Sequence, residues 1–286
     1  MEAAKQKYLQ AERHCLSSPM GVNDLHGSIL NDLGDIYLHQ FALNEAEASF
    51  KKALELHEAS QNILGQGEGH YGLGKTYVEL GKPIQAEVSY KKALEFHKAA
   101  SDNVGQGNDY QGLGETYQRQ NKLAEAESSY QKALEFQKIA NHILNQGNAL
   151  LGLGYIYRKI NRFDEAEASY HKALKLHIAA NNLFHQGIDH QGLGDTYLCL
   201  NKISEAEASF KKALELKKAA NDVVGEGIAL NGLGRVHMKR SQYKKAKGMF
   251  EEALKLHGQI QATDWEEEDQ KFLDMVLAKI NWTAME

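Results

Sequence analysis

The dipeptide Leu-Gly recurs at residues 33–34, 73–74, 113–114, 153–154, 193–194 and 233–234, at a strict spacing of 40 residues. A period of that length marks a repeat architecture. One short unit, unable to bury its apolar face alone, is copied and stacked on its neighbours. The chain therefore reads as a continuous array, not as a globule with one central core. Its 25 glycines fall mostly at fixed points of the repeat and it has only two prolines, which argues against low-complexity or collagen-like structure.

Aligned on the Leu-Gly pair, the units share further columns. A tyrosine follows the glycine by three residues (Tyr37, Tyr77, Tyr117, Tyr157, Tyr197), replaced in the last unit by His237. Then come an alanine (Ala46 to Ala246), an aromatic four residues later (Phe50, Tyr90, Tyr130, Tyr170, Phe210, Phe250) and an Ala-Leu pair (Ala53-Leu54 to Ala253-Leu254). Ala46, Phe50, Ala53 and Leu54 follow the i, i+4, i+7, i+8 spacing of one helix face, and no window alternates as a strand would. Each unit breaks in its middle, at Gly81-Lys82-Pro83, Asn121-Lys122, Asn161-Arg162 and Asn201-Lys202, and again at its junction with the next, as at Ser101-Asp102-Asn103 and Asn181-Asn182. Glycine and asparagine accept the left-handed conformation that ends a helix, and Pro83 suits a first helical turn. Each unit is thus two antiparallel helices of roughly 17 to 19 residues.

Glycine in a helix interior costs about 1 kcal/mol against alanine. Its repetition at Gly34 and its equivalents implies a compensating close approach, and the bulky aromatic of the second helix is the expected neighbour. Gly72 and Gly27, with their own equivalents, supply two more small columns.

These residues resemble the tetratricopeptide repeat motif. In the third unit its positions are Tyr110, Leu113-Gly114, Tyr117, Ala126, Tyr130 and Ala133. Two features depart from the family pattern. The closing proline is replaced by Glu58, Lys98, Lys138, Ile178, Lys218 and Gly258, and the period is 40 where 34 is usual. The long repeat is similar to that of Pins/LGN-type polarity scaffolds and to the tetratricopeptide tails of fungal NACHT-type signalling ATPases. The resemblance implies an all-α fold, a right-handed α-solenoid of stacked antiparallel helix pairs, with the first helices lining a concave groove.

Three regions are expected. Residues 1–23 read as a half repeat or cap helix, since Ala4, Tyr8 and Ala11 match second-helix columns; an excised fragment of a longer array would look the same. Residues 24–260 hold the six units. Residues 261–286 read as a capping helix, opened by a Thr263/Glu266 capping box and carrying an apolar stripe of Trp265, Phe272, Leu273, Val276, Leu277 and Ile280.

Chemistry is sparse. His57, His97, His177 and His257 share a column with Gln137 and Lys217, but one histidine per unit, about 10 Å from the next, cannot share a metal whose ligands lie about 2 Å from it. No catalytic, metal or cofactor site is assigned. Gly105-Gln106-Gly107 is a repeat column without a preceding strand, not a phosphate loop. A net charge of -5 gives no footprint for nucleic acid, no segment reaches the length of a bilayer span, and Cys15 and Cys199 have no partner spacing. A cytoplasmic protein without nucleic-acid or membrane partners is the expectation.

What remains is the inner face of the first helices, whose columns vary while the scaffold columns barely change. Tyr71, Gln111, Asn148, Tyr155, Arg158, Gln191, Asn231 and Arg235 are the candidate partner-binding residues, combining amides for a peptide backbone with aromatic and guanidinium anchors. A groove of about 60 Å would need about 18 extended residues to fill it, so an extended or helical protein segment fits better than a metabolite. The expected function is a non-enzymatic interaction scaffold. The alternatives are an array that self-associates through its ends, or the sensor tail of a larger signalling ATPase.

Overall fold

The computed structural model describes residue 6 and residues 23–283, which contain thirteen α-helices and no strand. The half repeat expected around Ala4, Tyr8 and Ala11 lies outside them. The chain forms two compact units, Met1–Asn145 and Gln146–Glu286. The first holds α1 (Asn23–His39), α2 (Leu43–Ala59), α3 (Ile63–Glu79), α4 (Pro83–Ala99), α5 (Asn103–Arg119) and α6 (Leu123–Ile139). The second begins within the first turn of α7 (Ile143–Lys159). It continues through α8 (Phe163–Ala179), α9 (Leu183–Cys199), α10 (Ile203–Ala219), α11 (Val223–Lys239), α12 (Tyr243–Gln259) and α13 (Thr263–Thr283). The helices from α1 to α12 are 17 residues each, two per repeat.

Every helix break is made the same way. The middle residue of each three-residue link is left-handed, from Phe41 (φ 55°) through Gly81 (φ 67°) to Gln261 (φ 55°). At Gly81 the two hydrogen bonds of a Schellman motif close the turn, Gly81 N–H donating to Val78 O at 3.1 Å and Lys82 N–H to Tyr77 O at 2.8 Å. Asparagine holds most of the other positions, but Ser101 (φ 56°) bears the full steric penalty of a β-carbon. Ser101→Gly is therefore expected to stabilise the protein by about 1 kcal/mol, read as a higher Tm in thermal unfolding. An unchanged or lower Tm would contradict it.

In the first unit, α1 packs on α2, α3 on α4 and α5 on α6, and each pair packs on the next. First helices also touch in succession, α1 with α3 and α3 with α5, whereas second helices do not touch one another among the described residues. First helices therefore lie on the inside of the curve within this unit. In the second unit α9 touches α11, and α11 touches α13, in the same manner.

Two layers of side chains join the helices. In one, an aromatic ring of a second helix is clamped between two glycines. A β-carbon on Gly34 would lie 2.7 Å from the Phe50 ring, and one on Gly72, in the next first helix, 2.2 Å from it. Tyr90 sits likewise between Gly74 and Gly112, Tyr170 between Gly154 and Gly192, and Phe210 between Gly194 and Gly232. The close approach expected at Gly34 is thus present, and each ring also reaches the next repeat. In α13, Phe272 takes the place of the second glycine and stacks on Phe250, ring centroids 5.4 Å apart. Leu273 and Val276 of the expected apolar stripe are buried there, with Phe272, Leu277 and Ile280 packed around them, while Trp265 stays 37% exposed. The expected capping box is displaced. Glu266 N–H bonds to Ala262 O, and the helix begins at Thr263 itself, one residue too early for the Thr263 hydroxyl to cap it.

Candidate partner-binding face

The second layer is polar. His57, His97, His177 and His257 are buried on the second helices. His97 Nδ1 lies 2.6 Å from Asp109, His177 Nδ1 2.6 Å from Asp189 and His257 Nδ1 2.6 Å from Asp269, each aspartate belonging to the next first helix and at most 1% exposed. His57 turns to Asp24 at 3.2 Å, and Lys217 to Asp222 at 2.7 Å. The column taken by itself does not reveal these partners. The signal was a carboxylate twelve residues after His97, His177 and His257, where Gln137 and Lys217 are followed by Ala149 and Ala229.

This layer absorbs some of the candidate residues. Asn148 Oδ1 lies 3.1 Å from His177 Nε2. Asn231 is 6% exposed and its amide donates to Asp269 at 2.7 Å. Gln191 donates to Gly225 O at 3.1 Å, tying α9 to α11. The others line the inner face more openly. Tyr71 packs on Tyr90 with Lys75 over its ring, and Gln111 donates to Glu115 at 2.9 Å. Arg158 and Lys159 each lie over the Tyr155 ring. Arg158 and Arg235 converge on Asp195, at 3.8 and 2.7 Å.

Among the recesses that result are two with apolar walls, one in each unit. The first, of about 340 Å³, has walls of Leu38, Phe41, Tyr71 and Val78 and a rim that includes Lys75, Glu79 and Glu115. Lys75 is engaged with Asp35 at 2.8 Å, so the rim is acidic. The second, of about 480 Å³, is lined by Leu198, Cys199, Met238 and Phe272 with Arg235 and Lys239. Two arginines share one aspartate beside it, so its rim is basic. Among the described residues no group of histidine, cysteine or carboxylate side chains could hold a metal ion, and no helix is long and apolar enough to cross a membrane.

Burial also silences three histidines on the first helices. His70, His185 and His190 are each held down to about 4, first by desolvation and then by neighbouring cations, Lys92 for His70, Lys217 for His185 and Lys212 for His190. A histidine depressed in the folded state stabilises it fully above the unfolded value near 6.5, and that contribution is lost as pH falls towards 4. Histidine NMR titration is expected to show these three rings neutral at pH 5.5. An inflection near 6.5 for any of them would contradict the packing.

Sequence comparison agrees with this architecture. A tetratricopeptide repeat model matches residues 25–99, 65–139 and 145–219, and a second tetratricopeptide repeat model matches 228–260. The chain belongs to the tetratricopeptide repeat family, and its fold is of the all-α solenoid class. No match was found among curated protein sequences. Similar solved structures include BtubC from P. vanneervenii (19% identity, 77% of this chain and 92% of that one, TM-score 0.66). A Rap protein complexed with Competence and Sporulation Factor is also similar (12% identity, 96% and 80%, TM-score 0.65). A third is a Signal Transduction ATPase with Numerous Domains from Pyrococcus horikoshii, which has a tetratricopeptide repeat sensor (20% identity, 95% and 49%, TM-score 0.64).

Proposed function

We propose that this protein is a non-enzymatic scaffold that holds an extended or helical segment of a partner protein against its first helices. The observation that carries this reading is the pair of recesses, each with apolar walls and a charged rim, on the side where first helices meet. Apolar walls supply burial, and unmatched rim charge selects the partner and speeds encounter. Tyr71, Gln111, Tyr155, Arg158 and Arg235 are the contact residues in this reading; Asn148, Gln191 and Asn231 hold the wall in place. The complex of the Rap protein with Competence and Sporulation Factor supports a bound partner for this fold.

Photo-crosslinking tests it. Benzoylphenylalanine at Glu79 or Lys239, on the recess rims, is expected to capture the same partner from native extract. The same probe at Glu55 or Glu215, on the second helices, is expected to capture none. Tyr155→Ala with Arg158→Ala should weaken capture from Lys239. Adducts formed equally from both sides would overturn the reading.

A further inference from the structure

The recess of the second unit carries a charge opposite to that of the whole chain, which is -5. Arg235 and Lys239 of α11 line it, together with Leu198 and Cys199 of α9. Forty residues before Leu198 and Cys199, the same columns hold Arg158 and Lys159 on α7. The one carboxylate in these columns of α7, α9 and α11 is Asp195, set against four cations. The scaffold does not demand this. The same columns of the first unit hold Asp35, Glu79 and Glu115 against Lys75 and Arg119. Asp195 does not neutralise its neighbours. Its Oδ1 accepts a hydrogen bond from Arg235 Nη1 at 2.7 Å, whereas Arg158 Nη2 stays 3.8 Å from Oδ2, an ion pair without a hydrogen bond. One negative charge shared by two guanidinium groups leaves a full positive charge over. Lys239 is exposed and has no ion pair among the described residues.

The geometry of Arg235 suits an incoming acid. Its guanidinium lies over the Phe272 ring, 5.9 Å from the ring centroid. A guanidinium presents five N–H donors in a fixed planar fork, and stacking on a ring leaves the edge of that fork open to a carboxylate. The walls add a second requirement. Leu198, Met238 and Phe272 are apolar, so an occupant that brought charge alone would leave them against water. The chain's net negative charge also opposes a long polyanion such as a nucleic acid. Acidic groups and a bulky apolar side chain are therefore wanted from the same short segment.

Resting on the scaffold reading above, we propose that the second recess takes an acidic segment of the partner protein. A carboxylate of that segment meets Arg235, with Arg158 and Lys239 beside it, and a leucine- or phenylalanine-sized side chain packs against Leu198, Met238 and Phe272. The probe is an acetylated and amidated nonapeptide, Glu-Glu-Leu-Glu-Glu-Phe-Glu-Glu-Leu, titrated into the whole protein while the Leu198 and Met238 methyl groups are followed by NMR. Saturable shifts are expected there, weakening as salt is raised, while the Leu38 and Val78 methyls of the acidic first recess stay still. The same peptide with glutamine for every glutamate should bind about tenfold more weakly, and so should the one with alanine for every leucine and phenylalanine. Arg235→Gln with Lys239→Gln should abolish the preference for glutamate with an unchanged circular dichroism spectrum, and Lys239→Gln alone should reduce it. Equal binding of the glutamine or the alanine peptide would overturn the proposal, as would a preference untouched in both variants. A thymidine decanucleotide binding more tightly than the acidic peptide would also overturn it, since the surface would then serve a nucleic acid. Partner capture at both recess rims, without any preference for the acidic peptide, would sink this proposal and leave the scaffold reading standing.

Discussion

Truncating Phe210 to alanine is expected to lower the unfolding free energy by about 3–5 kcal/mol. The ring is 1% exposed and touches Gly194 of its own repeat and Gly232 of the next, so one truncation opens a cavity that weakens two contacts at once. In a repeat array, stability is a sum of unit terms and nearest-neighbour interface terms. The loss should therefore appear as a broadened or split transition in urea unfolding, followed at 222 nm, as well as a lower midpoint. Phe210→Tyr is the control. Tyr90 and Tyr170 fill the same clamp elsewhere in the chain, so a cost below about 1 kcal/mol is expected. A Phe210→Ala protein within about 1 kcal/mol of wild type, unfolding in one sharp step, would show that the ring is not what joins the repeats.

The clamp also shows what the amino-acid order made readable. Gly34, Phe50 and their equivalents repeat every 40 residues because steric fit at each interface is the same, so pattern alone located the helices, the breaks and the small-against-large contact. Pattern could not tell which variable columns are free. Asn231 and Tyr155 both vary across the repeat, yet Asn231 is spent on the buried Asp269 while Tyr155 faces the surface beneath Arg158 and Lys159. The difference lies in what the next helix presents, and that depends on pairing across a repeat boundary. The Thr263 cap was misplaced by one residue because the Ala262 carbonyl, not a side chain, fixes where α13 begins.

Removing one member of the buried His177–Asp189 pair should cost far more than removing both. His177→Gln leaves a carboxyl group that is fully buried, whose second oxygen already lacks a donor, without its imidazole partner. Breaking such a pair costs about 3–5 kcal/mol. His177→Gln with Asp189→Ala reproduces the combination found at Gln137 and Ala149, and should recover most of that loss. The pH dependence identifies the cause. Burial pushes the Asp189 carboxyl up to about 6, against the pull of the hydrogen bond from His177. A carboxyl raised in the folded state binds its proton more tightly there than in the unfolded chain. Its protonation therefore favours folding at low pH, and that contribution is lost as pH rises through about 6. Without His177 the rise should be larger still. The gap between wild type and His177→Gln is therefore expected to be widest at pH 7.5 and to narrow towards pH 5, where the stranded carboxyl is neutral. Urea titrations of wild type, both single variants and the double variant at the two pH values complete the cycle. A gap independent of pH, or a double variant no more stable than His177→Gln, would mean that the histidine acts here as a shape filling space between Gly147 and His185, with its charge and hydrogen bond immaterial.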